Sequence, residues 1–410
     1  MLDTKTIETV KATVPVLQAG GEALTRHFYE RMFKHNPEVL PLFNPANQSG
    51  GTQQQALAAA ICAYAENIDN LEVLGDAAEL IANKHVSLRI QPEHYPIVGE
   101  NLLESIKEVL GDTATDDIID AWGKAYFFLA DILIAREKQI YAQQETTPGG
   151  WQDFKPFKVV KKVKESDVVT SFYLKPQDGS LPPSFKPRQY ITVRVPSPCG
   201  HTTMRNYSLS DKPDQDHFRI SIKREESQKG CPMGYVSNML HNNIEEGQLI
   251  EVAPPCGEFF LDETAQKERP LVLLSGGIGI TPILSILLTA LEATPKREII
   301  FIQASLKENT QAFGQVIDAL AETHANLTSH YRYSEPVSDG VVRSITDHIS
   351  EGFVDIDLIT RLVKTPDADF YFCGPKPFMI NIYQSLLQWG TPADQIHFEF
   401  FGPRQEIEAA

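Results

Sequence analysis

The sequence lacks the marks of several protein classes. It is not basic: 37 Lys and Arg stand against 54 Asp and Glu, a net charge of −17. That balance argues against nucleic acid and against an anionic membrane surface as partners, since both attract cations. Cysteine is sparse and scattered: Cys62, Cys199, Cys231, Cys256 and Cys373 are odd in number and form no C-x-x-C pair. A zinc ribbon, a thioredoxin-like pair and a disulfide framework are therefore not expected. The opening MLDTKTIETV has no basic stretch followed by an apolar one, so the expectation is a protein without a secretory signal that stays in the cytoplasm. Uninterrupted apolar runs are also missing. The stretch from Leu271 to Leu291 carries no charge and has the length of a membrane span, but Gly276, Gly277, Gly279 and Pro282 break it. A buried strand, a glycine turn and a helix fit it better.

The 410 residues exceed one ordinary core and imply about two or three domains. Residues 1–143 read as all helix, with apolar positions three and four apart near 4–19, 21–35, 52–70, 77–90, 93–110 and 116–143. Residues 144–151 contain Pro-Gly-Gly and read as a linker. From 152 to 265 the period becomes two, in runs such as FKVVKKV, QYITVRV and HFRISIKR, which predicts an antiparallel β-barrel. From 266 to 410 strands alternate with helices: LVLLSGG, EIIFIQASL, DFYFCGP and IHFEFFG are strands, and 281–293, 310–325 and 377–389 are helices. That pattern predicts a parallel sheet with crossovers.

Four stretches of the last two domains carry candidate chemistry. RNYSLS, from Arg205 to Ser210, can point hydroxyls at a planar ring and a guanidinium at a phosphate. Gly234 precedes a short helix that begins Tyr235-Val236-Ser237, and a helix N-terminus suits a pyrophosphate, although an ordinary capped helix reads the same way. Gly276, Gly277, Ile278, Gly279, Ile280, Thr281 and Pro282 form a strand-to-helix turn through which backbone can approach a phosphate. Cys373, Gly374 and Pro375 form a second turn of this kind, and ligands of open α/β sheets bind at such strand ends.

These ordered motifs, R-x-Y-S, G-x-G-x-T-P and C-G-P, resemble the ferredoxin–NADP reductase superfamily. The resemblance implies a FAD-binding barrel followed by a nicotinamide-binding domain. It implies that Arg205, Tyr207 and Ser208, with Asn206 between them, hold FAD, with Ser208 near the reactive flavin nitrogen. It implies that Gly234 to Ser237 hold the pyrophosphate, and that Gly276 to Pro282 and Cys373 to Pro375 hold NADH or NADPH. One departure stands out. Where the superfamily often has P-G-Q-Y, this chain has Pro187, Arg188, Gln189 and Tyr190. Gln189 and Tyr190 remain candidates for the flavin site.

The helical third poses a separate question. In IANKHVSLRI, residues 81–90, His85 shares a helix face with Ile81, Ala82 and Leu88. A histidine on an apolar stripe is either a core residue bonded to a carbonyl or an axial metal ligand. Upstream stand Tyr29 on an aromatic helix, Phe43 in a turn, and Gln53 and Leu57 four apart. In this order, and ahead of this reductase, they resemble the flavohaemoglobin family across essentially the whole chain. AWGKAY at 121–126 and FFGP at 400–403 strengthen the likeness.

That resemblance implies a globin that binds haem b, with His85 on the iron and Tyr95 and Glu137 behind it. Phe43 would pack against haem, Leu57 and Gln53 would line the distal pocket, and Tyr29 would donate its hydroxyl to dioxygen there. Lys84 and Glu399 would lie between haem and flavin and bias the redox potentials, Phe401 would stack near the isoalloxazine, and Phe400, Gly402 and Pro403 would join it in binding cofactor. The implied activity is nitric oxide dioxygenase, converting NO and O₂ to nitrate with NAD(P)H electrons carried by FAD, in a monomer whose partners are small molecules. Two other readings stay open: a haem-dependent reductase of alkyl or lipid hydroperoxides, and an O₂ or redox sensor. Ser305 and Lys307 follow the second nucleotide-domain strand without an arginine, which leans towards NADH.

Overall fold

The computed structural model describes residues 2–43, 51–198, 200–227, 233–257, 268–335 and 348–401. Its first part is helical: α1 Thr4–Ala12, α2 Val14–His35, α3 Thr52–Glu66, α4 Gly75–Ser87, α5 His94–Leu110 and α6 Asp116–Thr146. Asp3 caps α1 by accepting from the Thr6 N–H at 2.9 Å, and Thr115 caps α6 in the same way. The first break falls at Thr13 and not at Gly20–Gly21, because Pro15 is admitted only in the first turn of a new helix. Gly21 stays helical and lets α2 approach α3, since a Cβ there would lie 3.3 Å from that of Ala58.

The expected linker at 144–151 is corrected. Helix α6 continues to Thr146, and the chain then turns sharply, with Gly150 N–H donating to Thr147 O at 2.7 Å. A Cβ on Gly149 would meet Leu181 O at 2.6 Å, and one on Gly150 would meet Gln144 O at 1.9 Å. Trp151 is buried in the barrel core and donates to Val252 O. Pro-Gly-Gly here makes a packed corner, which requires missing side chains just as a flexible tether does.

The second part is an antiparallel sheet of β1 Lys155–Lys164, β2 Val169–Pro176, β3 Tyr190–Pro196, β4 Thr202–Ser208, β5 Phe218–Lys223 and β6 Leu249–Val252. Its order is β4-β3-β6-β1-β2-β5, and helix α7, Tyr235–Asn243, packs onto it through Val236 and Leu240. Phe157, Phe172, Ile191, Val193 and Val252 fill the interior at 0% exposure.

The third part is a parallel sheet ordered β10-β9-β8-β7-β11-β12. Its strands are β7 Leu271–Gly276, β8 Ile299–Ser305, β9 Leu327–Tyr333, β10 Ile349–Glu351, β11 Asp369–Cys373 and β12 Ile396–Glu399. The helices are α8 Ile280–Ala293, α9 Gly314–Thr323, α10 Ile356–Val363 and α11 Lys376–Trp389. In β7 alternate residues face opposite cores: Leu271 and Leu273 join α8, whereas Val272 and Leu274 join α10 and α11. The charge-free run is thus a central strand and a buried helix, and no helix among the described residues is long and apolar enough to cross a membrane. Strand order reverses between β7 and β11, so the crevice at their carboxyl ends is the topological switch point. Strands β9 and β10 and helix α10 were not expected from the sequence. β9 buries Ser329 and His330, and its polar residues hide the strand period; His330 Nε2 pairs with Ser350 Oγ across to β10 at 2.7 Å.

Candidate functional site

His85 lies on α4, between Ala82 and Val86, which are fully buried, yet its own side chain is 32% exposed. Its Nδ1 lies 2.7 Å from Glu137 Oε1 and 3.0 Å from Tyr95 Oη, and Tyr95 donates to the same carboxylate oxygen at 2.6 Å. Nδ1–H is committed to this pair, which leaves the Nε2 lone pair as the nitrogen that can hold iron. Tyr126, from α6, donates to Tyr95 O at 2.7 Å and packs where a Cβ on Gly99 would be only 2.5 Å from its ring. Neither Tyr126 nor Gly99 was singled out as a site residue; a glycine in the middle of an apolar helix was the available signal.

On the other side of the helical core, Tyr29, Phe43 and Leu57 belong to one apolar cluster. The Tyr29 ring meets Phe43 edge-on at 5.7 Å, and its hydroxyl hydrogen-bonds Gln53 while burial pushes its pKa well up. A neutral phenol in an apolar pocket remains a donor at all physiological pH. These seven residues of the helical third therefore make two groups: a histidine with a carboxylate and a phenol behind it, and a hydroxyl with an amide beside an apolar cluster. Such a set fits haem.

The barrel's candidate strand ends against the start of β3: Tyr190 pairs with Ser208 and Thr192 with Asn206. Ser208 is buried at 8% exposure. Tyr207 is half-buried, and burial raises its pKa. Arg205 folds its guanidinium back, Nη1 donating to Met204 O at 2.6 Å and Thr203 Oγ1 at 3.2 Å, and burial lowers its pKa. Gln189 braces its own turn, accepting from Lys186 N–H. Gly234 precedes α7 without any side-chain cap, and a Cβ there would strike Glu225 at 2.8 Å. The free N–H groups of this first turn can take a pyrophosphate. Only part of the turn has side chains to offer: Val236 is in the core, Tyr235 donates to Pro196 O, and Ser237 Oγ is tied to Gly234 O.

The Asn206 side chain reaches across to the helical domain. Its Nδ2 donates to Ser87 Oγ on the globin helix α4 at 3.1 Å, and its Oδ1 accepts from Thr192. Ser87 in turn donates to Lys84 O at 2.8 Å. Two further bonds close the seam: Gly257 N–H donates to Asn83 Oδ1, and Gln144 Nε2 to Pro255 O. The helix that carries His85 thus rests directly on the barrel, as does the end of α6 through Gln144. Lys84 lies in this seam, accessible at its surface, with its ammonium 5.6 Å from the Tyr190 ring centroid; crowding by protein lowers its pKa while Glu399 raises it.

At the nucleotide-domain switch point the glycines divide by role. A Cβ on Gly279 would fall 2.1 Å from Cys373 O, one on Gly374 2.7 Å from the Phe378 ring, and one on Gly276 3.0 Å from Pro375. These three let the two strand-end turns pack together. Gly277 has φ +53 and would meet nothing, so its backbone is the part that faces open space and can approach a phosphate. Ile280, Thr281 and Pro282 are buried, and Ile278 packs on the same core. Cys373 is fully buried and pairs in register with Glu399. Phe400 is partly buried and packs edge-on against Phe398, whereas Phe401 is 50% exposed. Gly402 and Pro403 lie outside the described residues.

Fold and site together define a class: a haem-binding globin joined to FAD- and nicotinamide-binding modules, that is, an NAD(P)H-dependent flavohaem oxidoreductase. Family models match accordingly, Globin over residues 26–133, Oxidoreductase FAD-binding domain over 156–261 and Oxidoreductase NAD-binding domain over 273–384. The flavohemoprotein of Rhodopirellula baltica is 51% identical over all of both chains, and that of Halalkalibacterium halodurans is 47% identical over 98% of this chain and 97% of its own. The crystal structure of flavohemoglobin from Malassezia yamatoensis with bound FAD and heme superposes with a TM-score of 0.83 at 28% identity, covering 98% of this chain and 100% of that one. The FAD/NAD-binding domain of nitric oxide dioxygenase from Vibrio cholerae is 32% identical, with a TM-score of 0.54 over 62% of this chain and 100% of its own. The chain belongs to the flavohemoprotein (flavohaemoglobin) family, and its cofactors are haem, FAD and a nicotinamide nucleotide.

Proposed function

We propose that this oxidoreductase is a nitric oxide dioxygenase, which consumes NO and O₂ and releases nitrate at the expense of NAD(P)H. When bound, FAD splits the hydride's electron pair into single electrons, and haem supplies the iron at which the two gases combine. The residues suit this chemistry at each end. His85 holds the iron through Nε2 while Glu137 accepts the Nδ1 proton; a carboxylate in that place makes the imidazole more basic and favours activation of dioxygen over reversible carriage. Tyr29 offers a neutral O–H to developing negative charge in the distal pocket, and Gln53 orients that hydroxyl. Leu57 and Phe43 keep the pocket apolar and exclude water. Arg205, Tyr207 and Ser208 hold FAD with the open start of α7, and the turns at Gly277 and Cys373 receive the nucleotide. Lys84 and Glu399 stand between the two redox sites. NADH is the preferred donor on this reading, Ser305 and Lys307 offering no arginine fork for a second phosphate. The small-molecule partners, the monomeric state and the cytoplasmic location follow the same reading.

The observation that carries the proposal is the Tyr29–Gln53 bond set in the same helical domain as the His85–Glu137 pair. Electron balance supplies the test. Each nitrate formed from NO and O₂ takes one electron, and each NADH carries two. The purified holoenzyme supplied with NADH, air and NO should therefore yield about two nitrates per NADH consumed. Equal or faster NADH turnover with an organic hydroperoxide, with NO left untouched, would favour the peroxidase reading instead.

A further inference from the structure

Residues Lys186 to Gln189 form a β-turn closed by a Gln189 N–H to Lys186 O bond of 3.0 Å. Pro187 is its second residue, and Arg188, its third, has φ +78. That is the backbone of a type II turn, whose third position calls for glycine because a Cβ is strained there. Arg188 also buries its guanidinium, at 1% side-chain exposure. Strain and desolvation both count against an arginine at this place, and glycine would remove both. A residue retained against two costs points to a use.

The side chain shows what the use is. It leaves the barrel just before β3 and crosses to the carboxyl edge of the parallel sheet. There the guanidinium carbon lies 5.7 Å from the Tyr371 ring centroid, and Nη2 lies 3.7 Å from Glu399 Oε2. Tyr371 and Cys373 lie on one face of β11, in register with His397 and Glu399 of β12. Burial pushes the Arg188 pKa down to about 10, which still leaves it a cation at neutral pH. The buried Oε2 of Glu399 accepts no hydrogen bond among the described residues, so its compensation is electrostatic and comes from Arg188 on one side and Lys84 on the other.

The geometry points to Arg188 as a positioning residue for hydride transfer: it carries a fixed cation from the FAD barrel to the Cys373–Glu399 edge of the nucleotide domain, offsets the Glu399 carboxylate there, and makes the flavin of this chain easier to reduce. The physical reason is that a reduced isoalloxazine gains electron density, and a nearby fixed charge tunes its potential. The inference concerns the reductase half only and is indifferent to what haem does with the electrons.

The test is the flavin midpoint potential of the purified holoenzyme, measured spectroelectrochemically in Arg188→Gly, Arg188→Gln and Arg188→Lys. Gly suits the turn, Gln keeps bulk without charge, and Lys keeps charge. At a fixed solution potential, the ratio of reduced to oxidised flavin should fall about tenfold in the Gly and Gln variants, a shift of about 30 mV for a two-electron couple. In Arg188→Lys the ratio should stay within about threefold of the parent. Should Arg188→Gly lose FAD, the Gln and Lys pair decides alone. An unchanged potential in Arg188→Gln, or an equal fall in Arg188→Lys and Arg188→Gln, would overturn the assignment and leave Arg188 a packing residue. Loss of nitrate formation would not bear on it, since the potential is read on the flavin alone.

Discussion

At the residue scale the account depends on two pairs. His85 and Glu137 form the first. His85→Ala should remove the Soret band while the flavin bands persist, because the barrel core that carries Tyr207 and Val236 is built without residues of the helical third. Glu137→Gln should weaken haem retention by about 10–100-fold, the usual effect of removing a partner behind a metal-bound histidine; equal retention in a haem-transfer assay would show that the 2.7 Å bond does not stiffen the ligand. Tyr29 and Gln53 form the second pair. A hydrogen bond to a charged acceptor is worth about 1.5–3 kcal/mol, so Tyr29→Phe should speed dioxygen release by about tenfold or more. Release at the parent rate, followed by flash photolysis, would mean that the phenol donates elsewhere. Both pairs were legible in the sequence only as members of a family pattern. Taken alone, Glu137 reads as a solvated helix residue, because nothing local distinguishes a buried carboxylate from an exposed one on a mixed helix.

At the element scale the His85 helix and the glycine turn do the positioning. Helix α4 rests on the barrel through Asn83 and Ser87, with Lys84 between them. Ser87→Ala removes the acceptor of the Asn206 bond. It should slow electron passage from flavin to haem in stopped-flow mixing while the NADH-to-flavin phase keeps its rate. The turn after β7 has no room for a side chain at Gly279, where a Cβ would meet Cys373 O at 2.1 Å. Gly279→Ala should therefore separate the two turns and abolish flavin reduction by NADH, yet leave reduction by dithionite and both absorption spectra intact. Elements with strong periodicity were readable in advance, α6 and β7 among them. The seam was not: Asn206 sits inside R-x-Y-S and reads as a cofactor residue, and only the fold turns its amide towards Ser87. β9 stayed hidden for a related reason, its buried Ser329 and His330 lacking the hydrophobic signature of a core strand.

At the scale of the whole molecule, helix α4 and the buried Arg188 guanidinium are among the contacts that tie the three parts together, beside Gln144 to Pro255 O and Ser285 to Asp211 O. Helix α4 links globin to barrel, and Arg188 links barrel to nucleotide sheet, with Glu399 facing both Arg188 and Lys84. This division into three followed from the change of hydrophobic period along the chain; the tight corner at Thr147–Gly150, which fixes the globin against the barrel, did not, because glycine and proline mark a packed turn and a flexible tether alike. Contacts of this kind within one chain make electron transfer an internal event. The most direct test is anaerobic stopped-flow mixing of the ferric holoenzyme with NADH, followed at the flavin and Soret bands over a range of protein concentrations. The account predicts flavin bleaching first and haem reduction second, the second phase at a rate independent of protein concentration. Haem that stays ferric, or a haem phase that accelerates in proportion to protein concentration, would contradict it.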